Sequence, residues 1–139
     1  MLNTLHKGKT HLATCLGYAA TQAGVKTLYT TAIDMVNQLV AAEADHSLLR
    51  KLKVYQEPDF IICDELGYLP LGPQGSHLLF QVISARHPKK STLITTNLPF
   101  ADWGEIFDST TVATAIADRL VMNSEVIILN GESYRRRKK

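Results

Sequence analysis

A chain of 139 residues holds one domain at most, and a domain of that size buries about 68–70% of the surface its unfolded form exposes. With 45% apolar and 20% charged residues the composition is ordinary for a soluble globular protein; no apolar run approaches the roughly 18 residues of a membrane span, and the N-terminus does not read as a signal peptide. The net charge of +2 conceals an asymmetry, because five of the fifteen basic residues form the run Arg135–Lys139, and without them ten basic face thirteen acidic residues, a net −3.

In chain order, residues 9–23 read as a helix stopped by Gly24. Val25 to Thr31 is short and β-branched, a strand. From Ile33 to about Leu52 the apolar residues Ile33, Val36, Leu39, Val40, Leu48, Leu49 and Leu52 recur near a period of 3.6, one helix. After Pro58, Phe60–Cys63 reads as a buried strand. Pro73 to Arg86 is a helix with Leu78, Leu79, Val82 and Ile83 on its buried face, ended by Pro88. Ser91–Thr96 is a strand, Pro99–Phe107 and Thr111–Met122 are short helices, and Val126–Leu129 is a last strand. Alternating strands and helices predict an α/β fold, a mostly parallel sheet with helices on both faces. Ligands of such folds bind beyond the carboxyl ends of the strands, where Asp64, Glu65 and Asn97 are expected, on the same rim as Lys9.

Two motifs carry chemistry. Gly8-Lys9-Thr10 closes the pattern G-x-x-x-x-G-K-[ST] over residues 3–10, with Asn3 in place of the first glycine. In an intact loop, backbone N–H groups converge on phosphates at a helix N-terminus; Lys9 would reach the β- and γ-phosphates and Thr10 would place its hydroxyl on Mg²⁺. As a tripeptide alone, Gly-Lys-Thr is also an ordinary helix start. The second motif is Phe60-Ile61-Ile62-Cys63-Asp64-Glu65, an apolar strand ending in two carboxylates. Such a pair is costly unless something neutralises it. Asp64 would hold the metal through its water shell and Glu65 would polarise the attacking water.

The remaining residues stay open on pattern alone. Asn97 either holds that water against the γ-phosphate or is a turn residue before Leu98-Pro99. Arg119 is either an arginine finger supplied to a neighbouring subunit or a surface arginine beside Asp118. The tail, residues 135–139 after a domain of residues 1–134, is a solvated end or a contact to nucleic-acid phosphates. The five histidines share no metal spacing, and Trp103 and Phe107 read as packing. Cys15 and Cys63 lie far apart and read as reduced, structural thiols of a cytoplasmic protein.

Taken together, the blocks Gly8-Lys9-Thr10-His11-Leu12-Ala13, Pro58 to Leu71 with its Asp64-Glu65-Leu66-Gly67-Tyr68-Leu69-Pro70 core, Thr95 to Phe100, Trp103, Ala117-Asp118-Arg119-Leu120 and Asn130 to Arg135 resemble the IstB-type ATP-binding proteins. These are helper ATPases of insertion-sequence transposition, related to the DnaC and DnaI helicase loaders. The resemblance runs from Gly8 to Arg135. It implies an AAA+ P-loop fold with strand order 5-1-4-3-2, ATP and Mg²⁺ as cofactors, homo-oligomers on DNA, and a transposase partner. It puts Gly8, Lys9, Thr10 and His11 at the nucleotide, Thr10 and Asp64 at the metal, and Glu65, Asn97 and Arg119 in catalytic roles. The family places a DNA-contacting region and a first, central strand ahead of the phosphate loop, and His6 stands where a glycine is usual. Only seven residues precede Gly8 here, so an N-terminally truncated AAA+ domain lacking that strand is expected. The resulting function is an ATP-hydrolysing helper of DNA transposition, or else a nonhydrolysing remnant that acts as a binding module. A P-loop small-molecule kinase gives no reason for the Asp-Glu pair.

Overall fold

A computed structural model describes residues 2–122 and 125–129. Three strands, β1 (Thr27–Thr31), β2 (Phe60–Leu66) and β3 (Ser91–Thr96), form one parallel sheet in the order β1-β2-β3. Helix α1 (Leu2–Gln22) packs on one face. Helices α2 (Ala32–Ala44), α3 (Leu48–Gln56), α4 (Gly72–Arg86), α5 (Gly104–Phe107) and α6 (Thr110–Val121) build the remainder, with a 3-10 turn at Phe100–Asp102. No helix among the described residues is long and apolar enough to cross a membrane.

Strand alternation divides the sheet between two layers. Ile61, Cys63 and Leu66 join Met35, Val36 and Leu39 of α2 and Leu78, Leu79 and Val82 of α4 in the main core. Ile62 points the other way, to α1: a Cβ on Gly17 would meet Ile62 Cδ1 at 2.7 Å. Glycine at that point brings α1 close to β2, and the helix then carries residues 9 and 10, two turns earlier, to the end of the sheet.

Local chemistry explains most boundaries. α1 ends at Gly24, in the left-handed region (φ 82), with Val25 N–H donating to Ala20 O at 3.0 Å. Thr31 both ends β1 and caps α2, its hydroxyl accepting from Asp34 N–H at 3.2 Å. Ser109 does the same for α6 through Val112 N–H. Pro73 lies in the first turn of α4, where its missing N–H costs nothing.

Several expectations are corrected. The helix expected from Ile33 to Leu52 is two helices. His46 takes a left-handed conformation (φ 64), and Asp45 accepts from Ser47 N–H at 3.1 Å, so the chain turns although the apolar period continues. β2 does not stop at Cys63 but runs through Asp64 and Glu65 to Leu66. Residues 126–129, expected as a strand, form none and are exposed; a strand exists only with a partner to hydrogen-bond. Cys15 is exposed rather than a packed thiol. The basic tail, residues 135–139, lies outside the described residues.

The largest correction concerns the phosphate loop. Residues 3–10 are not a loop: α1 runs unbroken from Leu2 through Gly8, Lys9 and Thr10. With neither glycine nor proline from Leu2 to Lys7, nothing in that stretch breaks a helix.

Candidate functional site

Four segments meet at the C-terminal end of the sheet, and Asp64 is their centre. Its side chain is 0% exposed. A buried carboxylate is expensive unless its oxygens are hydrogen-bonded, and three hydroxyls supply this. Thr10 Oγ1 donates to Oδ2 at 2.9 Å, Tyr29 OH donates to the same oxygen at 2.5 Å, and Thr95 Oγ1 donates to Oδ1. Lys9 lies beside them, its ammonium donating to Thr96 O at 2.8 Å. Helix α1 and strands β1, β2 and β3 thus each contribute a polar group to one rim.

Strand β2 is irregular at this point. Cys63 pairs with Ile94 and Leu66 with Thr96, so β2 spends three steps where β3 spends two. The extra residue is a β-bulge, a device that re-aims side chains next to functional sites. Glu65 pays for it with a left-handed backbone (φ 66), uncommon for a non-glycine residue. Thr95 holds the bulge from the neighbouring strand: its hydroxyl accepts from Glu65 N–H at 2.9 Å while donating to Asp64. Glu65 then faces a cavity of about 280 Å³, lined with Ala32, Ile33, Gly67, Tyr68, Leu69 and Leu71. A larger hollow of about 410 Å³ beside α3, lined by Glu43, His46, Leu49 and Arg50 among others, contains none of the site residues.

Asn97 follows β3 directly, and Gly67 makes room for it. A Cβ on Gly67 (φ 100) would sit 3.0 Å from Asn97 Oδ1. The segment after Glu65 and the side chain of Asn97 are therefore neighbours.

Two phenols and one thiol near this rim hold their protons more tightly than usual. The Tyr29 phenol is raised well above its ordinary value, first by burial, then by its bond to Asp64 and the charges of Asp64, Glu65 and Asp34. Burial and the same two carboxylates raise Tyr68. Burial pushes the Cys63 thiol up to about 12.

The structure brings Lys9, Thr10, Asp64, Glu65 and Asn97 to one end of the sheet, leaves Gly8 within α1 just before Lys9, and does not bring the other two candidates there. His11 is exposed, its Nε2 3.7 Å from Cys15 Sγ one turn along α1. Arg119 lies over the Phe80 ring, 4.8 Å from its centroid, and donates to Ala115 O at 3.1 Å. Tyr29, Thr95 and Gly67 were not singled out from sequence. A hydroxyl on β3 two residues before Asn97 was the available sign for Thr95; Tyr29 offered none.

Oxygen donors around Asp64 suit a hard cation such as magnesium, which takes few protein ligands and keeps several waters. No cluster of three or more His, Cys, Asp or Glu side chains at metal-binding positions occurs among the described residues. The side chains of Lys9 and Thr10 also fit a triphosphate. The backbone does not yet fit: the amides of Gly8, Lys9 and Thr10 lie inside α1, so a phosphate cradle requires the helix to begin near Gly8.

The parallel order, the bulged acidic strand and the lysine-threonine pair opposite it define the class, a P-loop domain of AAA+ type. Solved structures agree on the fold. The DnaC helicase loader superposes with a TM-score of 0.68 at 24% identity, over 81% of this chain and 68% of that one. AMPPCP-bound DnaA from Aquifex aeolicus gives 0.69 at 17% identity, over 78% and 34%. The model of the IstB-like ATP binding protein family matches residues 2–139, and the chain belongs to that family. Among curated relatives, the "Insertion sequence IS5376 putative ATP-binding protein" of Geobacillus stearothermophilus is 46% identical over 132 residues, 95% of this chain and 53% of the relative. The "Insertion sequence IS21 putative ATP-binding protein" of Pseudomonas aeruginosa is 39% identical over 132 residues, 95% and 50% respectively. The chain spans about half the length of these curated relatives. The expected order 5-1-4-3-2 contains the observed β1-β2-β3 as its 2-3-4 segment.

Proposed function

We propose that this chain is the nucleotide-binding part of an ATP-dependent helper of DNA transposition. One observation carries the reading: the hydroxyl of Thr10, beside Lys9, donates to Asp64 across 54 positions of sequence. The Gly-Lys-Thr and Asp-Glu motifs, separate in the chain, are neighbours in the fold. The family and its insertion-sequence relatives supply the context of transposition. ATP, DNA, a transposase, self-assembly and a cytoplasmic setting belong to this proposal.

The residues divide the work by position. Lys9 exchanges Thr96 O for phosphate oxygens of the β- and γ-groups, a stronger, charge-assisted partner. Thr10 Oγ1 and Asp64, already bonded to each other, would hold magnesium, Thr10 directly and Asp64 through water. Magnesium, when bound, would neutralise phosphate oxygens during cleavage of the β–γ bond. The Glu65 carboxylate takes the proton of the attacking water, and the Asn97 amide orients that water. Arg119 would act on a neighbouring subunit's nucleotide, leaving Phe80 to do so.

A second reading is favoured by the helical course of α1 through Gly8. If the helix stays wound, the amides never reach a phosphate and the chain binds weakly without turnover. Titration of a fluorescent ATP analogue with and without Mg²⁺ separates the readings. Magnesium-dependent binding that Lys9→Ala abolishes, with turnover that Glu65→Gln removes while binding persists, supports the first. Equal affinity for parent and Lys9→Ala removes Lys9 from the site and sinks it.

A further inference from the structure

Asp64 Oδ2 is claimed twice. Thr10 Oγ1 reaches it from α1 at 2.9 Å and Tyr29 OH reaches it from β1 at 2.5 Å. Oδ1 accepts from Thr95, itself fixed by Glu65 N–H, while Oδ2 is the oxygen faced by Thr10, the direct cation ligand of the reading above. An ionised carboxylate accepts about four hydrogen bonds, two to each oxygen. On Oδ2 both positions are filled, so a water of a hydrated cation that is to donate there must displace Thr10 or Tyr29. Thr10 is held by its backbone in α1. Tyr29 is the movable claimant: the residue is 45% exposed and lies outside the main core cluster, so its ring can swing towards solvent without opening a hole in the core.

Resting on the ATP–magnesium reading above, we propose that Tyr29 is a positioning residue that sets the divalent-cation requirement of this site by competing with the cation's water for Asp64 Oδ2. The geometry distinguishes this from a packing role. β1 pairs with β2 in register, Tyr29 opposite Ile62 and Thr31 opposite Asp64. Tyr29 therefore reaches Asp64 diagonally, along the strand direction, with only its hydroxyl. A phenylalanine would keep the ring and lose the competitor. The ring is not part of the main core cluster, and Tyr29→Phe retains it. Thr95 is the contrasting case: on Oδ1 its hydroxyl steadies the carboxylate without contesting the cation's oxygen.

The test uses the full chain in two measurements. The free-ion EPR signal of Mn²⁺ gives the half-saturating cation concentration for parent, Tyr29→Phe and Asp64→Asn, with Mg²⁺ as competitor. Separately, a chain labelled with 3-fluorotyrosine is titrated with Mg²⁺ by ¹⁹F NMR; the residue 29 line is identified by its loss in Tyr29→Phe. The expected result is a half-saturating concentration about tenfold lower in Tyr29→Phe, the worth of one hydrogen bond to a charged group. The Tyr29 line should shift with Mg²⁺ in the parent and stay still in Asp64→Asn. Equal half-saturation in parent and Tyr29→Phe, or a Tyr29 line that ignores Mg²⁺ at every concentration, overturns the inference. A shift with Mg²⁺ but no binding of the fluorescent ATP analogue would keep Tyr29 in its role and sink the nucleotide reading alone. Magnesium-dependent nucleotide binding with an unmoved Tyr29 line would do the reverse.

Discussion

Thr95 and Glu65 are tied across two strands: the Thr95 hydroxyl accepts from Glu65 N–H at 2.9 Å and in the same geometry donates to Asp64. One side chain therefore holds both the bulge that aims Glu65 and the carboxylate beside it. Thr95→Val keeps the shape and removes both bonds. Each buried group left unpaired costs about 1–3 kcal/mol, so chemical denaturation should show a loss of roughly 2 kcal/mol or more. Thr95→Ser should restore most of it. A Thr95→Val chain as stable as the parent would show that the bulge stands without Thr95.

Gly8 separates the stability of α1 from phosphate binding. It lies inside the helix, with nothing within 4 Å of where a Cβ would project. Gly8→Ala should therefore stabilise the chain by about 0.5–1 kcal/mol. A phosphate loop needs the freedom the substitution removes, so binding of an ATP analogue should fall in the same variant. Thermal melts and the fluorescent titration read the two effects. A stabilised Gly8→Ala chain that binds nucleotide as well as the parent would mean that the loop does not have to unwind.

Arg86 is the structural surprise of the opposite end of the sheet. At 0% exposure it donates to the carbonyls of Tyr55, Pro58 and Ser91 and to the Thr92 hydroxyl, at 2.6 to 3.1 Å. Burial lowers its pKa to about 10. It ties the end of α3 to the starts of β2 and β3. Arg86→Met would orphan several carbonyls at about 1–3 kcal/mol each, against a typical total stability of 5–15 kcal/mol. Circular dichroism should find the Arg86→Met chain largely unfolded or melting far below the parent; a melt within a few degrees would refute the assignment.

The two thiols report on folding. Cys15 is exposed and Cys63 is buried and pushed up to about 12. Iodoacetamide near pH 8 should label Cys15 alone in the native chain and both after denaturation, as mass spectrometry can count. The same shift has a sign in alkali. Unfolded Cys63 ionises near 9 and folded Cys63 near 12, so between those values the folded state binds more protons. Its contribution to stability is intact below about pH 9 and declines towards pH 12, by up to about 1.4 kcal/mol per pH unit. Cys63→Ala should flatten that part of the profile.

Arg119 offers a test of assembly. A finger in trans requires that mixing Arg119→Ala with Lys9→Ala recovers turnover, because each chain lacks the half the other keeps. Turnover by an isolated monomer, or a mixture as inactive as its parts, would leave Arg119 as the partner of Phe80.

The residues that gather at the rim were legible wherever their signal was local. Gly8-Lys9-Thr10 and Asp64-Glu65 announce themselves by residue type and spacing, and the β-branched and apolar runs place β1, β2 and β3, since a strand's composition is written into its own few residues. Ser91–Thr96 was read to the residue for this reason. What depended on partners was not legible. Tyr29, Thr10 and Thr95 become donors to one carboxylate only because parallel strands and α1 bring positions 29, 10, 95 and 64 together, and no window of sequence contains all four. The bulge at Glu65 exists relative to β3, and the break at His46 exists because α3 folds back on α4 rather than extending α2. Residues 126–129 have the composition of a strand and no strand to pair with among the described residues. Residue type alone determined which chemistry is available; hydrogen bonding between distant segments decided where its groups point.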